Sequence, residues 1–486
     1  PRWLKPFWHN RLGLRAFLCE PSQLAPHPSR HWCEKLAKLR TMLGAFMGRT
    51  LARPLSSFAL ALVALAPQGT TAGAGSAPLS WQAEQRQRGG SAGTAALHSE
   101  TGDMRKVSLA SVDPLATCND GTPGVYYWAQ GVDNASSWLF LLGDRGWCWD
   151  ATSCAARSPE LVSSKYYPDV LPWDPDSIFG SRSVFSGYNR IWVPQCSSDA
   201  WMGDIGSHES KAGINWRGSR IFKAALRDVG ATRGMKSSDL LVFGGLSAGA
   251  RGAMVHIDTI KPQRLIPEGV KLVGYLDSPY YVEMPAFQNM TGVDFRVTLQ
   301  TQQAAAAMQN DAILRGDGAC ELDEVWRCAF GEYRMPLLKT PFLLVASQYD
   351  WYGLFTAEGV DMGTYRGPFQ CFPSPQRLYY DYADEFRAVT RRGLLSLPQV
   401  LDGAAGLFSS TCYDHASSKF DLFGVQRVRG VARGEALLQT IAASEGNGAM
   451  PFVVSSWGEL NGGQGCHVDL PRSCGGAGKQ LRRRSR

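Results

Sequence analysis

A serine hydroxyl attacks a carbonyl carbon at neutral pH only when its surroundings activate it. The run Gly245-Leu-Ser247-Ala-Gly249 fits the pattern G-x-S-x-G. Leu240 to Phe243, four apolar residues in front of it, suit a buried strand, and Gly244 and Gly245 are expected to break that strand. Ala248 to His256 follow as a predicted helix of small residues. Strand, tight turn and helix are the setting in which this pattern marks a nucleophile. Small residues let strand and helix pass close together, and the strained serine backbone lifts Oγ clear of the sheet. The helix start aims free N–H groups at an anion formed there. A small-residue turn packing a helix on a sheet would share the five-letter pattern, so the flanking elements carry the reading.

An activated serine also needs a base within hydrogen-bond reach and an acid to orient that base. In hydrolases of the α/β type the chain order is Ser, acid, His. Downstream of Ser247 at a useful distance stand only His415 and His467. His256 is nine residues along the predicted helix, roughly 13 Å away by helical rise, and reads as a helix-face residue. His415 follows a short predicted strand in a loop that contains Cys412, whereas His467 lies between Cys466 and Cys474 in a terminal segment flanked by glycines. A base must sit on a rigid element, which favours His415. Two acids compete: Asp277 ends the first predicted strand after the serine and Asp350 the second. Both could reach the site. The usual place of the acid, one strand further out, favours Asp350, and Asp277 before Ser278-Pro279 reads as a turn or cap residue. Upstream, Trp138 to Leu142 run into Gly143-Asp-Arg-Gly-Trp-Cys148. A buried strand ending in a glycine loop is where such an enzyme keeps its oxyanion donors.

These residues need a sheet to hold them. Further strands are predicted at 125–129, 190–194, 270–276, 341–347 and 407–409, and helices at 219–229, 376–390 and 432–444. Gly230 is expected to stop the first of these helices. Strands alternating with helices imply an α/β fold, a mostly parallel central sheet with helices on both faces and its strand ends aligned at one edge.

The net charge is +7, but residues 1–53 carry +8 and residues 479–486 carry +5, so the remainder stands at −6. A mildly acidic main domain argues against a nucleic-acid surface. The twelve cysteines form no C-x-x-C, and the chain has no H-E-x-x-H, which disfavours zinc and thioredoxin-type chemistry. Residues 1–46 are expected to be a non-native or upstream extension. From Met47 the chain reads as a secretory signal peptide over 47–74: Arg49 and Arg53, an apolar run from Leu55 to Ala66, then Ala72-Gly-Ala74. A twelve-residue run is short for a membrane span, so no stable span is expected. A Gly/Ser/Gln-rich linker is expected over 75–106, the folded domain over 107–475, and a basic disordered tail over 476–486. In an exported chain the cysteines read as disulfides, and short spacings suggest Cys148–Cys154, Cys320–Cys328 and Cys466–Cys474. Asn134 and Asn289 head N-glycosylation sequons.

Taken in order, Phe140-Leu-Leu-Gly-Asp-Arg-Gly-Trp-Cys148 with Cys154 and Arg157, Gln195-Cys-Ser-Ser-Asp-Ala-Trp-Met-Gly203, Gly245-Leu-Ser-Ala-Gly249, Gln348-Tyr-Asp-Trp351 and Ser410-Thr-Cys-Tyr-Asp-His415 resemble the pectin acetylesterase/Notum family of secreted α/β-hydrolase esterases. The resemblance covers about residues 118–474, and the Cys-Ser-Ser-Asp-x-Trp run is closer to the Notum branch. It implies Ser247 as nucleophile, Asp350 as acid and His415 as base, with oxyanion donors on the backbone of Gly146, Trp147 and Ala248. It also implies a Cys118–Cys196 bridge, which leaves Cys371 for Cys412 by elimination. The chain departs from the family where Asp144 and Arg145 interrupt the glycines and where Ala250 replaces a second glycine. The expected activity is hydrolysis of O-acyl esters, acetyl or longer, on an extracellular polysaccharide or glycoprotein, by a secreted monomer needing no metal or cofactor. The interruption at Asp144-Arg145 motivates a rival reading, a secreted binding protein with a vestigial site.

Cleavage after Ala74 predicts that secreted material begins at or near Gly75. N-terminal sequencing checks this, and an intact Met47 start on a membrane-bound form would mark an anchor instead.

Overall fold

The computed structural model describes residues 102–132, 135–285, 297–308, 310–357 and 377–456. Its strands in chain order begin with β1 (Met104–Ser108), β2 (Val125–Ala129), β3 (Ser137–Leu142), β4 (Val170–Leu171) and β5 (Asn189–Val193). Next come β6 (Leu240–Leu246), β7 (Lys271–Asp277), β8 (Phe342–Val345), β9 (Tyr349–Asp350) and β10 (Gly406–Ser409). The last are β11 (Tyr413–Asp414), β12 (Arg427–Val428), β13 (Val431–Ala432) and β14 (Phe452–Val454). Ten of these form one sheet in the order β14-β10-β8-β7-β6-β3-β5-β2-β1-β4. Pairing is parallel from β14 to β5 and antiparallel through β2, β1 and β4. The mostly parallel sheet expected from the sequence is therefore present, with an antiparallel extension at one edge.

Both faces of the sheet are covered, so its central strands are apolar throughout instead of alternating with polar residues. Along β6, Leu241 and Phe243 enter one core while Leu240, Val242 and Leu246 enter the other. Along β3, Trp138, Phe140 and Leu142 face the first core, Leu139 and Leu141 the second. The first core is closed by helices α1 (Gly218–Thr232), α2 (Ala248–His256) and α4 (Arg377–Leu395). Helix α5 (Arg433–Ser444) closes the second through Ala436, Leu437 and Ile441. Helix α3 (Val297–Met308) lies between α2 and α4 in the chain and buries Gln300, Thr301, Ala304, Ala305 and Met308 along one face. Its Thr, Gln and Ala composition gives little amphipathic signal, which is why the sequence did not announce it.

Two expectations about glycine are corrected. Helix α1 does not stop at Gly230; it runs to Thr232, and the left-handed residue comes at Gly234, φ +85°. Gly244 and Gly245 do not break β6, which continues to Leu246. They are glycines because neighbours crowd them. A Cβ on Gly244 would stand 1.8 Å from the Tyr275 carbonyl oxygen, and one on Gly245 2.3 Å from the Gly249 carbonyl carbon.

Three disulfides are present, Cys118–Cys196, Cys148–Cys154 and Cys320–Cys328, each as expected. Cys371, Cys466 and Cys474 lie outside the described residues, as do Asn134, Asn289 and His467. No helix among the described residues is long and apolar enough to cross a membrane. Gly244→Ala is expected to force β6 and β7 apart and to destabilise the fold by about 1–3 kcal/mol, the usual cost of overpacking. A lowered urea midpoint with unchanged slope is the readout.

Candidate active site

Ser247 sits between β6 and α2 with φ +52° and ψ −116°, a conformation strained for a residue with a Cβ. It is held from both sides. Its N–H donates to the Asp277 carbonyl at 2.8 Å, and its own carbonyl accepts the Arg251 N–H at 2.9 Å. The latter is the first bond of α2, so the N–H groups of Ala248, Gly249 and Ala250 have no acceptor within the helix. The turn is closed by Gly249, where a Cβ would lie 2.0 Å from the Leu142 carbonyl oxygen. That contact seats the helix start directly on the end of β3, from which the glycine loop departs.

His415 Nε2 lies 2.7 Å from Ser247 Oγ, and its Nδ1 lies 2.7 Å from Asp350 Oδ2. A carboxylate only accepts hydrogen bonds, so Nδ1 carries the proton and Nε2 is left to accept from the serine hydroxyl. Asp350 Oδ1 accepts the Gly353 N–H at 2.9 Å, which fixes the carboxylate plane. The register of a two-stranded ladder explains how residues 65 positions apart meet. β9 pairs with β11 in parallel, Tyr349 opposite Tyr413 and Asp350 opposite Asp414, so His415 is one residue beyond its acid. The ring is packed by Tyr352, stacked at 5.2 Å, and by Trp351, edge-on at 5.3 Å. Burial disfavours the imidazolium, but Asp350, with Asp277 and Asp414 further off, outweighs it and raises the His415 pKa above 6.5.

Asp277, the other acid weighed from the sequence, does not touch the histidine ring. It is neither a cap nor a simple turn residue. Its Oδ2 accepts the Ser418 hydroxyl at 2.6 Å and the Ser418 N–H at 3.2 Å. Beside it Ser278 Oγ accepts the Ala416 N–H at 2.9 Å. Ala416, at φ +50°, and Ser418 lie just after His415, so the end of β7 braces the segment that carries it. Arg433 of α5 donates to Asp414 and lies 3.8 Å from Asp277, all three fully buried. Nothing local in the sequence marks Asp277, Ser418 and Arg433 as one network; their contacts exist only once β7, the loop and α5 are packed.

The glycine loop leaves β3 beside the serine turn, where a Cβ on Gly249 would also lie 2.7 Å from the Gly143 carbonyl oxygen. Gly146 has φ +67°, and Trp147 is buried and bridges to Asp199. The Cys148 N–H donates to the Ser198 carbonyl at 2.9 Å, and Trp201 Nε1 donates to the Gly143 carbonyl at 3.0 Å. The Cys-Ser-Ser-Asp-Ala-Trp run thus holds the loop, and Asp199 holds the run, accepting from Ser197 Oγ and from the N–H groups of Trp201, Gly203 and Gly218. Arg251, one helical turn after Ser247, stacks its guanidinium on the Trp147 ring at 4.0 Å and lies 5.1 Å from the Tyr281 ring. The Tyr281 ring in turn lies 6.4 Å from the His415 ring. Tyr281 and Arg251 were not singled out from the sequence. His256 is buried against Phe222 with Nε2 2.8 Å from the Trp201 carbonyl, and burial pushes its pKa down to about 3, as suits a packed helix-face residue.

Ala248 follows Ser247 directly, and Trp147 meets the start of α2 through the Arg251 guanidinium on its ring. Asp144 is ion-paired to Lys419, and Gly146 makes a left-handed turn.

A family model described as pectinacetylesterase matches residues 98–435. Among curated proteins, the palmitoleoyl-protein carboxylesterase notum2 of Xenopus laevis is 27% identical over 249 residues, 49% of this chain and 50% of that protein. Pectin acetylesterase 7 of Arabidopsis thaliana is 23% identical over 48% of this chain and 59% of its own length. Human palmitoleoyl-protein carboxylesterase NOTUM is 27% identical over 48% and 49%. The match spans about half the length of these curated relatives. The solved structure of the Drosophila Wnt deacylase Notum has the same fold, with a TM-score of 0.60 at 18% identity over 74% of this chain and 99% of that one.

Removing Arg433 would leave the buried Asp414 and Asp277 carboxylates without their counter-charge. Arg433→Met is therefore expected to cost about 3–5 kcal/mol of stability by urea denaturation, and Arg433→Met combined with Asp414→Asn less than the single change.

Proposed function

This chain belongs to the pectinacetylesterase family, and from that premise we propose that it is a secreted serine carboxylesterase that removes O-acyl groups, acetyl or longer, from an extracellular polysaccharide or glycoprotein. The observation that carries the proposal is the Asp350–His415–Ser247 line, with 2.7 Å at each step. His415 Nε2 takes the proton as Ser247 Oγ attacks the ester carbonyl carbon. The carbonyl oxygen becomes an oxyanion, held by the N–H groups of Gly146, Trp147 and Ala248. His415 then passes its proton to the departing alcohol oxygen as the ester C–O bond breaks, leaving an acyl ester on Ser247. A water, deprotonated by His415, attacks that ester; the acid departs and Ser247 regains its proton. Asp350 keeps the ring oriented and stabilises the imidazolium at both stages.

Two further observations support the reading. The start of α2 and the Arg251 guanidinium, packed on the Trp147 ring, give the oxyanion position a positive field. Three disulfides suit an oxidising compartment outside the cytosol.

Ser247→Ala and His415→Ala are each expected to lower turnover of an acetyl ester by about 10⁴-fold with the fold intact, because the three residues act as a unit. His467→Ala should match the wild type; loss there with retention in His415→Ala would move the base. Only neutral His415 accepts the serine proton. Its raised pKa therefore predicts that activity falls on the acid side through a limb above 6.5.

A further inference from the structure

The two residues that break the glycine run make contacts unlike those of a glycine loop. Asp144 follows Gly143 at the end of β3, and its carboxylate is ion-paired to Lys419, 275 residues away and four residues beyond His415. The pair is largely withdrawn from water, with side-chain exposures of 14% for Asp144 and 10% for Lys419. At the surface such a pair would hold little; at this burial leaving either charge alone is costly. Arg145, next in the chain, is held at φ +101°, where a glycine would rest without strain. Gly146 and Trp147 come immediately after. One ion pair therefore ties the loop that presents the Gly146 and Trp147 N–H groups to the segment that carries His415.

We propose that Asp144 and Lys419 are positioning residues that set the distance between the oxyanion donors and the base. The proposal rests on the esterase reading above and deepens it: the pair touches no reacting atom and acts through the two loops. The catalytic cost of losing it follows from geometry. Donors and base must converge on one carbonyl, and a displacement of about 1 Å can cost about 100-fold in rate. A glycine run at 144–145 would make the loop supple, whereas here a strained residue beside a buried ion pair leaves it one arrangement.

The pair also acts on His415 through its charge. Burial would raise the Asp144 pKa, but Lys419 and Arg145, with His415 further off, hold it down, so the carboxylate is ionised and its charge is answered by Lys419. The other charged or titratable groups near the ring are Asp350 of β9, Asp277 of β7, Asp414 of β11, Arg433 of α5, Tyr281 and Tyr352. None of these changes when the pair is altered. Lys419→Met would leave a lone carboxylate, which favours the imidazolium and moves the acid limb to higher pH. Asp144→Asn would leave a lone ammonium and move the limb to lower pH.

The test is steady-state hydrolysis of a soluble acetyl ester by the wild-type protein, Asp144→Asn, Lys419→Met and the combined Asp144→Asn/Lys419→Met variant, each across pH and each with its thermal midpoint. The expected result is a kcat lowered about 10- to 100-fold in all three with KM little changed. The acid limb should shift in opposite directions in the two single variants and stay in place in the combined one. The combined variant leaves no lone buried charge and covers the case in which a single variant does not fold. Wild-type kcat in the combined variant overturns the proposal, as do limbs that do not move in folded single variants. An inert wild-type protein, by contrast, would overturn the esterase reading itself.

Discussion

A serine held at φ +52° is the constraint on which the rest of the structure depends. The conformation costs on the order of 1–3 kcal/mol and persists only where its surroundings over-determine it. Here the surroundings are a strand on either side and a helix behind. The ladder between β6 and β7 takes the Ser247 N–H, and α2 begins on its carbonyl. Gly244, Gly245 and Gly249 let β7, the helix start and the end of β3 come within the distances that a methyl group would forbid. The strain is therefore maintained by the sheet's central packing, which is the most buried part of the fold.

His415 is held by a different device. β9 and β11 are two residues each and lie outside the main sheet, yet their parallel register sets Asp350 and His415 side by side. What keeps so short a ladder in place is polar: Asp277, Ser278, Ser418, Asp414 and Arg433 form a buried network just behind it. Asp144 and Lys419 add a second polar tie, between the loop after β3 and the segment after His415. Buried charge of this kind specifies one arrangement of a loop where apolar contacts would tolerate several, at the cost of making each member hard to remove.

The sequence disclosed what is local or ordered along the chain. The G-x-S-x-G turn, the small-residue helix and the four central strands follow from spacing and burial pattern, and their bounds agree with the structure to within a few residues. His415 and Asp350 were reachable because chain order and strand ends restrict the candidates. The remainder depends on pairing across long separations. Asp277 reads locally as a turn or cap residue because the partner of its carboxylate, Ser418, stands 141 positions away. Asp144 looked like damage to a glycine loop because its partner stands 275 positions downstream. Gly230 was read as a helix stop because a glycine inside a helix is unfavourable by only about 1 kcal/mol, which the apolar face of α1 overrides.

The most direct measurement is the mass and site of the adduct formed when the folded protein meets a fluorophosphonate, which reacts covalently with an activated serine. One adduct per chain, mapped by peptide mass spectrometry to Ser247 and formed far more slowly in His415→Ala, is the result expected of a serine made nucleophilic by this histidine. A folded protein that takes up no reagent, or takes it up elsewhere than Ser247, would contradict it.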